Sequence, residues 1–156
     1  MSAMIPAQQS SETFEIQKSL DIAAPIEIAF EALLEEIGPE SQMMDGTPMP
    51  LKLEAWPGGR WFRDLGNNTG HLWGHVQVIK PPALLEICGP LMMSYPAVNH
   101  VQYRLTAKDS GTHLAFTHRG MGLIQPDHLD GMPRGWEHWA NKIRERAERK
   151  AAQRKK

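Results

Sequence analysis

Two tryptophans placed three residues apart near the end of the chain decide most of what it can become. Trp136, Trp139, Ala140, Ile143 and Ala147 follow the i, i+3, i+4, i+7, i+11 spacing of one helix face. Each indole carries roughly 150–250 Å² that has to leave water, and a sheet is the only partner broad enough to cover two of them. Pro133 suits the first turn of this helix, and the Lys/Arg-rich last turns suit the negative end of its dipole. Residues 126–131 are compatible with a separate helical turn before it.

The sheet is legible upstream. Phe14, Ile16, Lys18, Leu20 and Ile22 alternate with polar neighbours, which predicts a strand over 13–22. Pro25 then opens a helix as its first residue. Ile26, Ala29, Phe30, Leu33, Leu34 and Ile37 form its apolar face, with Glu27, Glu31, Glu35 and Glu36 on the other, and Gly38-Pro39 ends it. After an irregular connection over 38–50 come short β-type runs at 51–56, 60–65, 71–79, 83–88, 98–107 and 112–119. Pro57-Gly58-Gly59, Gly66 to Gly70, Pro81-Pro82 and Asp109-Ser110-Gly111 separate several of them. Strand, helix, run of strands, helix is the order of an α+β domain with an antiparallel sheet. Residues 1–12 show no hydrophobic period and are expected to be a disordered N-terminus, and 151–156 a disordered basic tail. The domain itself spans 13–150.

Alternation also assigns faces. Leu72, Gly74, Val76 and Val78 are expected to face the last helix, with His71, Trp73, His75 and Gln77 outward. Val101, Tyr103 and Leu105, then Leu114, Phe116 and His118, are placed inward, while His100 and His113 are placed outward. A strand bulge would break this phase locally.

Composition removes whole classes of function. In 156 residues there is one cysteine, Cys88, so no internal disulfide forms. The stretch 87–103 lacks charge but contains Gly89, Pro90, Pro96, Asn99 and His100, so no membrane span is expected. The N-terminus lacks a basic segment followed by an apolar run, so no export signal is expected and a cytoplasmic location is. Residues 1–140 hold 9 basic and 16 acidic side chains, a balance of −7, while 141–156 hold 8 and 2, a balance of +6. An acidic body argues against a nucleic-acid surface, and the basic end reads as a solvated helix terminus. His71 and His75 have a metal-like spacing. On a strand, however, they lie about 13 Å apart, too far to share an ion, so no metal is expected. No phosphate-binding, dinucleotide or nucleophile motif is present, so no cofactor and no catalytic residue is assigned.

The order of several short motifs resembles a known group. Ala24-Pro25 opens a Phe30-containing helix, and Pro57-Gly58-Gly59-Arg60-Trp61 turns between strands. Gly74-His75-Val76-Gln77-Val78 precedes Pro81-Pro82 and Leu84-Leu85. Gly111-Thr112-His113-Leu114 leads to Thr117-His118, and Gly135-Trp136 enters the last helix. Over about residues 13–149 this resembles the START-like (SRPBCC) superfamily, in the branch named for the activator of the heat-shock chaperone ATPase. The resemblance implies a helix-grip fold, a curved antiparallel sheet wrapped around a long C-terminal helix, with a hydrophobic cavity between them that takes lipids, polyketides or other apolar molecules. Some members are cyclases or other enzymes. The chain has no counterpart of the namesake's extra N-terminal domain, so a chaperone partner is doubtful. A homodimer is allowed.

The expected ligand is therefore a small hydrophobic molecule, and the expected contacts are Trp56, Trp61, Met44, Met92, Tyr103, Phe116, His118 and Trp136. Aromatics fill cores by default and line pockets as a second role. Met43, Met44 and Met49 in one irregular segment, with Met92 and Met93 in another, suggest a pliant gate. His118 on an apolar face reads first as a satisfied core residue. Its functional alternative is to orient a ligand oxygen, or to act as the acid/base of a cyclase or hydrolase with a carboxylate near Arg60, Arg63, Asp64 and Glu54. A third alternative is a protein-interaction module whose tryptophans simply fill the cavity.

Overall fold

Strands separated by tight turns pair with their neighbours, and this chain does so along its whole length. The computed structural model describes Met4 and residues 6–155. Strand β1 (Glu12–Ile22) leads into helix α1 (Ile26–Glu36), followed by β2 (Lys52–Leu53), β3 (Arg60–Gly66), β4 (Thr69–Lys80), β5 (Leu84–Gly89), β6 (Ala97–Lys108) and β7 (Gly111–Gly122). Helix α2 (Pro126–Arg154) closes the chain. The strands form one antiparallel sheet, curved and unclosed, in the order β1-β7-β6-β5-β4-β3-β2. Consecutive strands from β2 to β7 are neighbours, and only β1 crosses, to the free edge of β7. This is the α+β helix-grip architecture. Asn67 and Asn68 take φ of 53° and 59°, the pair of positive values that a two-residue hairpin turn needs.

Several boundaries differ from the sequence expectation. Pro25 caps α1 from outside, with its carbonyl accepting from the Ala29 N–H at 2.9 Å, instead of occupying the first helical position. Strand β2 is only two residues long, and β7 runs three residues beyond Arg119. Residues 126–131 belong to α2 itself, so Pro133 lies inside the helix and not in its first turn. Proline has no N–H, so the first two turns of α2 lack one helical hydrogen bond and are intrinsically its weakest part. The helix also runs through Ala151, which is buried, to Arg154, within the expected tail. Of the expected N-terminal segment 1–12, residues 1–3 and 5 lie outside the described residues. Met4 and residues 6–11 carry no helix or strand.

The face assignment fails at two places on β4. The pairing with β5 shifts between Val76 and Val78, so Ile79 and not Val78 packs on the core. The more informative failure is at Trp73. Trp61 pairs with Gly74 and Phe62 with Leu72, so Trp73 is an extra residue on β4. The bulge shifts the phase: Leu72 turns out to solvent, and Trp73 and Gly74 are buried in succession. Trp73, expected outward, therefore points into the core. Glycine is needed beside it. A Cβ on Gly74 would lie 2.6 Å from the Cys88 carbonyl oxygen, and one on Gly89 would lie 2.4 Å from the Trp73 carbonyl oxygen.

The opposed charges of the two helices also find each other. Arg146 Nε donates to Glu36 Oε1 at 2.7 Å, and its guanidinium lies 3.2 Å from Glu35 and 3.8 Å from Glu40. Lys150 sits between Glu31 at 2.9 Å and Glu35 at 2.5 Å, and Arg154 reaches Glu31 at 3.0 Å. These contacts hold the Glu31 carboxyl below its usual range, with the hydrogen bond from Lys150 as the largest cause. Much of the basic charge near the C-terminus is thus spent on α1. Glu36 is 4% exposed, so removing its partner leaves a buried carboxylate uncompensated. Arg146→Met is expected to cost about 2–3 kcal/mol in urea unfolding. Lys142→Met, which touches only exposed Glu145 at 3.6 Å, is expected to change stability by less than ~0.5 kcal/mol. Equal losses in the two variants would contradict this account of the helix pairing.

Candidate ligand-binding cleft

The inner face of the sheet and the buried face of α2 are joined by a continuous run of rings. Tyr103 packs on Phe116 with centroids 4.9 Å apart, Phe116 on Trp136 at 4.6 Å, and Trp136 on Trp139 at 5.3 Å. Trp139 then meets Trp61 at 5.8 Å and Trp73 at 6.2 Å, and those two meet edge-to-face at 5.1 Å. These rings pack against one another between the sheet and the helix.

At one end the filling stops. A cleft of about 410 Å³ lies beside the first four turns of α2, within the roughly 300–1,000 Å³ of typical small-molecule sites. Trp73, Trp136 and Trp139 line it from inside, and Met43, Met44, Met49, Met92 and Met132 supply most of the remaining wall. Gln42, Asp127, His128 and His138 are its polar members. Gly131 and Gly135, one helical turn apart on α2, complete it, and a Cβ built on either has no neighbour within 4 Å.

His118 lies outside this cleft. It is fully buried, and both ring nitrogens are used. Trp136 Nε1 donates to His118 Nδ1 at 3.0 Å. An indole nitrogen only donates, so the histidine proton is on Nε2, which donates to Asn99 Oδ1 at 2.7 Å. Asn99 Nδ2 in turn donates to the Gly89 carbonyl at 3.1 Å. Burial pushes the His118 pKa down to about 4, so the ring is neutral at pH 7. It pins β6, β7 and α2 together and has no nitrogen left for a ligand.

The expected site residues therefore divide. Met44, Met92 and Trp136 line the cleft together. Trp61, Tyr103 and Phe116 are core residues away from it, and Trp61 Nε1 is committed to the Ile37 carbonyl at 2.7 Å. Trp56 is 57% exposed on the turn before β3 and touches neither core nor cleft. Met43 and Met49 join the cleft, whereas Met93 turns into the core against Asn99. Arg60 is held by Glu54 through two 2.9 Å contacts at the surface, which lower the Glu54 carboxyl to about 2. Among the described residues no group of three or more His, Cys, Asp or Glu side chains could hold a metal ion, and no helix is long and apolar enough to cross a membrane.

Sequence reasoning missed His128, His138 and the two glycines. His128 Nδ1 shares a hydrogen bond with Tyr95 Oη at 2.6 Å, with the rings stacked 5.4 Å apart. A helical period over 126–135 would have brought Asp127, His128, Gly131 and Gly135 toward one side. Pro133 hid that period.

No protein-family model matches the chain, and no curated protein matches it. Solved structures do. An uncharacterized protein from Rhizobium leguminosarum is 18% identical, with 92% of this chain and 99% of that one covered and a TM-score of 0.70. A protein of unknown function from Staphylococcus aureus, SA2116, is 15% identical over 90% and 96% of the two chains, with a TM-score of 0.65. DynU16, from the dynemicin biosynthetic locus, is 14% identical over 84% of this chain and 46% of that one, with a TM-score of 0.59. These likenesses establish the fold.

The state of His118 has a measurable consequence. Its pKa is lowered on folding, so between about pH 6.5 and pH 4 the unfolded chain binds the proton more readily. The stability it contributes is complete above pH 6.5 and is lost as pH falls toward 4, by up to ~3 kcal/mol. Urea unfolding at pH 7.0 and 4.5 should show this fall in the natural protein and a smaller one in His118→Gln. Equal slopes in both proteins would show that His118 is not buried neutral.

Proposed function

We propose that the protein binds a small hydrophobic molecule in the cleft between α2 and the methionine-bearing segments around residues 42–49 and 92. The observation that carries this reading is the glycine pair. Glycine inside a helix costs about 0.5–1 kcal/mol relative to alanine, and neither Gly131 nor Gly135 is required by a positive φ or a close contact. Larger side chains at both positions would enter the cleft. The helix thus carries a stability cost at the two places where relieving it would fill the site.

The composition of the wall supports the same reading. Methionine side chains are flexible and polarizable and adapt to apolar partners of varied shape. Burial of ligand surface would supply about 25 cal/mol per Å², before ordering costs. We read the domain as START-like (SRPBCC), in the heat-shock-ATPase-activator-like branch, acting in the cytoplasm on a lipid, polyketide or aromatic metabolite. The neighbour from a biosynthetic locus is in keeping with an organic ligand of that kind. Catalysis through His118 draws no support from a ring whose two nitrogens are already bonded. The packing of Trp61, Trp73, Trp136 and Trp139 between sheet and helix is what an interaction module would show, and the apolar cleft beside three of them is what favours a ligand over it.

Titration with the neutral fluorophore N-phenyl-1-naphthylamine tests the reading. Saturable enhancement is expected with the natural protein. Gly135→Leu should abolish it while raising the thermal midpoint by about 2–4 °C per kcal/mol gained. Enhancement that survives Gly135→Leu unchanged would place probe binding elsewhere and remove the support for this cleft.

A further inference from the structure

We infer that the ligand is a neutral apolar molecule bearing a carbonyl-type oxygen, and that the indole N–H groups of Trp73 and Trp139 hold that oxygen. The inference rests on the cleft being a binding site. Four tryptophans fill the interior, and their nitrogens fall into two classes. Trp61 Nε1 donates to the Ile37 carbonyl and Trp136 Nε1 to His118 Nδ1. Trp73 Nε1 and Trp139 Nε1 have no partner, although each residue is only 6% exposed. Both unsatisfied indoles belong to residues that line the cleft; of the satisfied ones, Trp61 is not in its lining and Trp136 lines it with its nitrogen committed to His118. His138 Nε2, on the same wall, is also buried without a partner.

A buried donor without an acceptor is costly, and native proteins leave few of them. Indole nitrogen only donates, so its complement must be an acceptor. A carbonyl oxygen has two lone pairs and can take two N–H groups, and the two indoles are packed neighbours, edge to face. Charge narrows the choice further. No lysine or arginine lines the cleft, and Asp127 does. A carboxylate or phosphate would be desolvated there without a lysine or arginine to pair with and beside a like charge, so the acceptor we assign is a neutral one. The two nitrogens are closed to solvent as the side chains stand, so the oxygen reaches them only when wall side chains move. Met43, Met44 and Met92 are exposed at the mouth and have the rotamer freedom to do so.

Three near-isosteric probes separate the alternatives: 2-acetylnaphthalene, 2-isopropenylnaphthalene and 2-naphthoate. Each is titrated into ¹⁵N-labelled full-length protein while the five tryptophan indole signals, assigned by single Trp→Phe variants, are followed. The ketone is expected to bind about 10–100-fold tighter than the alkene, the gain of two net hydrogen bonds, and tighter than the anion. Relative to the alkene complex, it should move the Trp73 and Trp139 signals downfield and leave that of Trp61 in place. Trp73→Phe or Trp139→Phe should each remove part of that gain, about three- to tenfold, by taking away one of the two donors. If either variant fails to fold, the signals of the natural protein still decide. Equal binding of ketone and alkene, both blocked by Gly135→Leu, would overturn the acceptor assignment and leave the cleft reading standing. Tightest binding by naphthoate would overturn the neutral-ligand assignment. No binding of any probe would overturn the cleft reading and this inference with it.

Discussion

The rest of the structure depends on where Trp136 and Trp139 go. Two indoles on one helix face cannot stay in water, and the curved sheet is the surface that receives them. Once they are seated, the other positions follow. Phe116 and Tyr103 extend the stack along β7 and β6, Trp61 and Trp73 meet it from β3 and β4, and His118 takes the Trp136 N–H. The long connection between β1 and β2 is then used by α1, which lies against α2 and neutralises much of its basic end. Three basic side chains of the terminus and four acidic ones of the body meet in this contact.

The cleft arises from local departures from regularity placed against this packed background. A bulge turns Trp73 inward, Pro133 weakens the start of α2, and Gly131 and Gly135 withhold side chains where the helix passes the methionines. Each is unfavourable for an isolated element. Together they leave an apolar recess with adaptable walls, and they lie at the end of the interior where the aromatic stack stops. The indole nitrogens are treated differently within this interior: those of Trp61 and Trp136 are bonded, and those of Trp73 and Trp139 are not.

Much of the fold was legible because it rests on period and punctuation. The 13–22 alternation, the 26–37 helix and the Asn67-Asn68 turn all stand close to where their residues put them. The inward direction of His118 was legible for the same reason, and so was its bland role. Less of the site could be read. Trp73 was assigned the wrong face because a bulge is decided by pairing with β3, which no single-strand period encodes. Trp61, Tyr103 and Phe116 looked as suited to a pocket as to a core, and only packing separates the two. His128, His138 and the glycines were hidden because proline and two glycines within 131–135 read as an interruption of the helix. Segment-level composition fared better than residue-level assignment: the methionine-bearing stretches do meet at the cleft, with Met93 the exception.

The central claim is that this recess exists to hold an apolar molecule, and a mass measurement addresses it most directly. The protein would be isolated from its own cells under gentle conditions and weighed by native mass spectrometry before and after denaturation, alongside Gly135→Leu prepared in the same way. The account predicts a reproducible added mass on the natural protein that is lost on denaturation and is absent from the variant. A natural protein that carries only its own mass, under conditions that retain a weakly held reference ligand on a control protein, would contradict it.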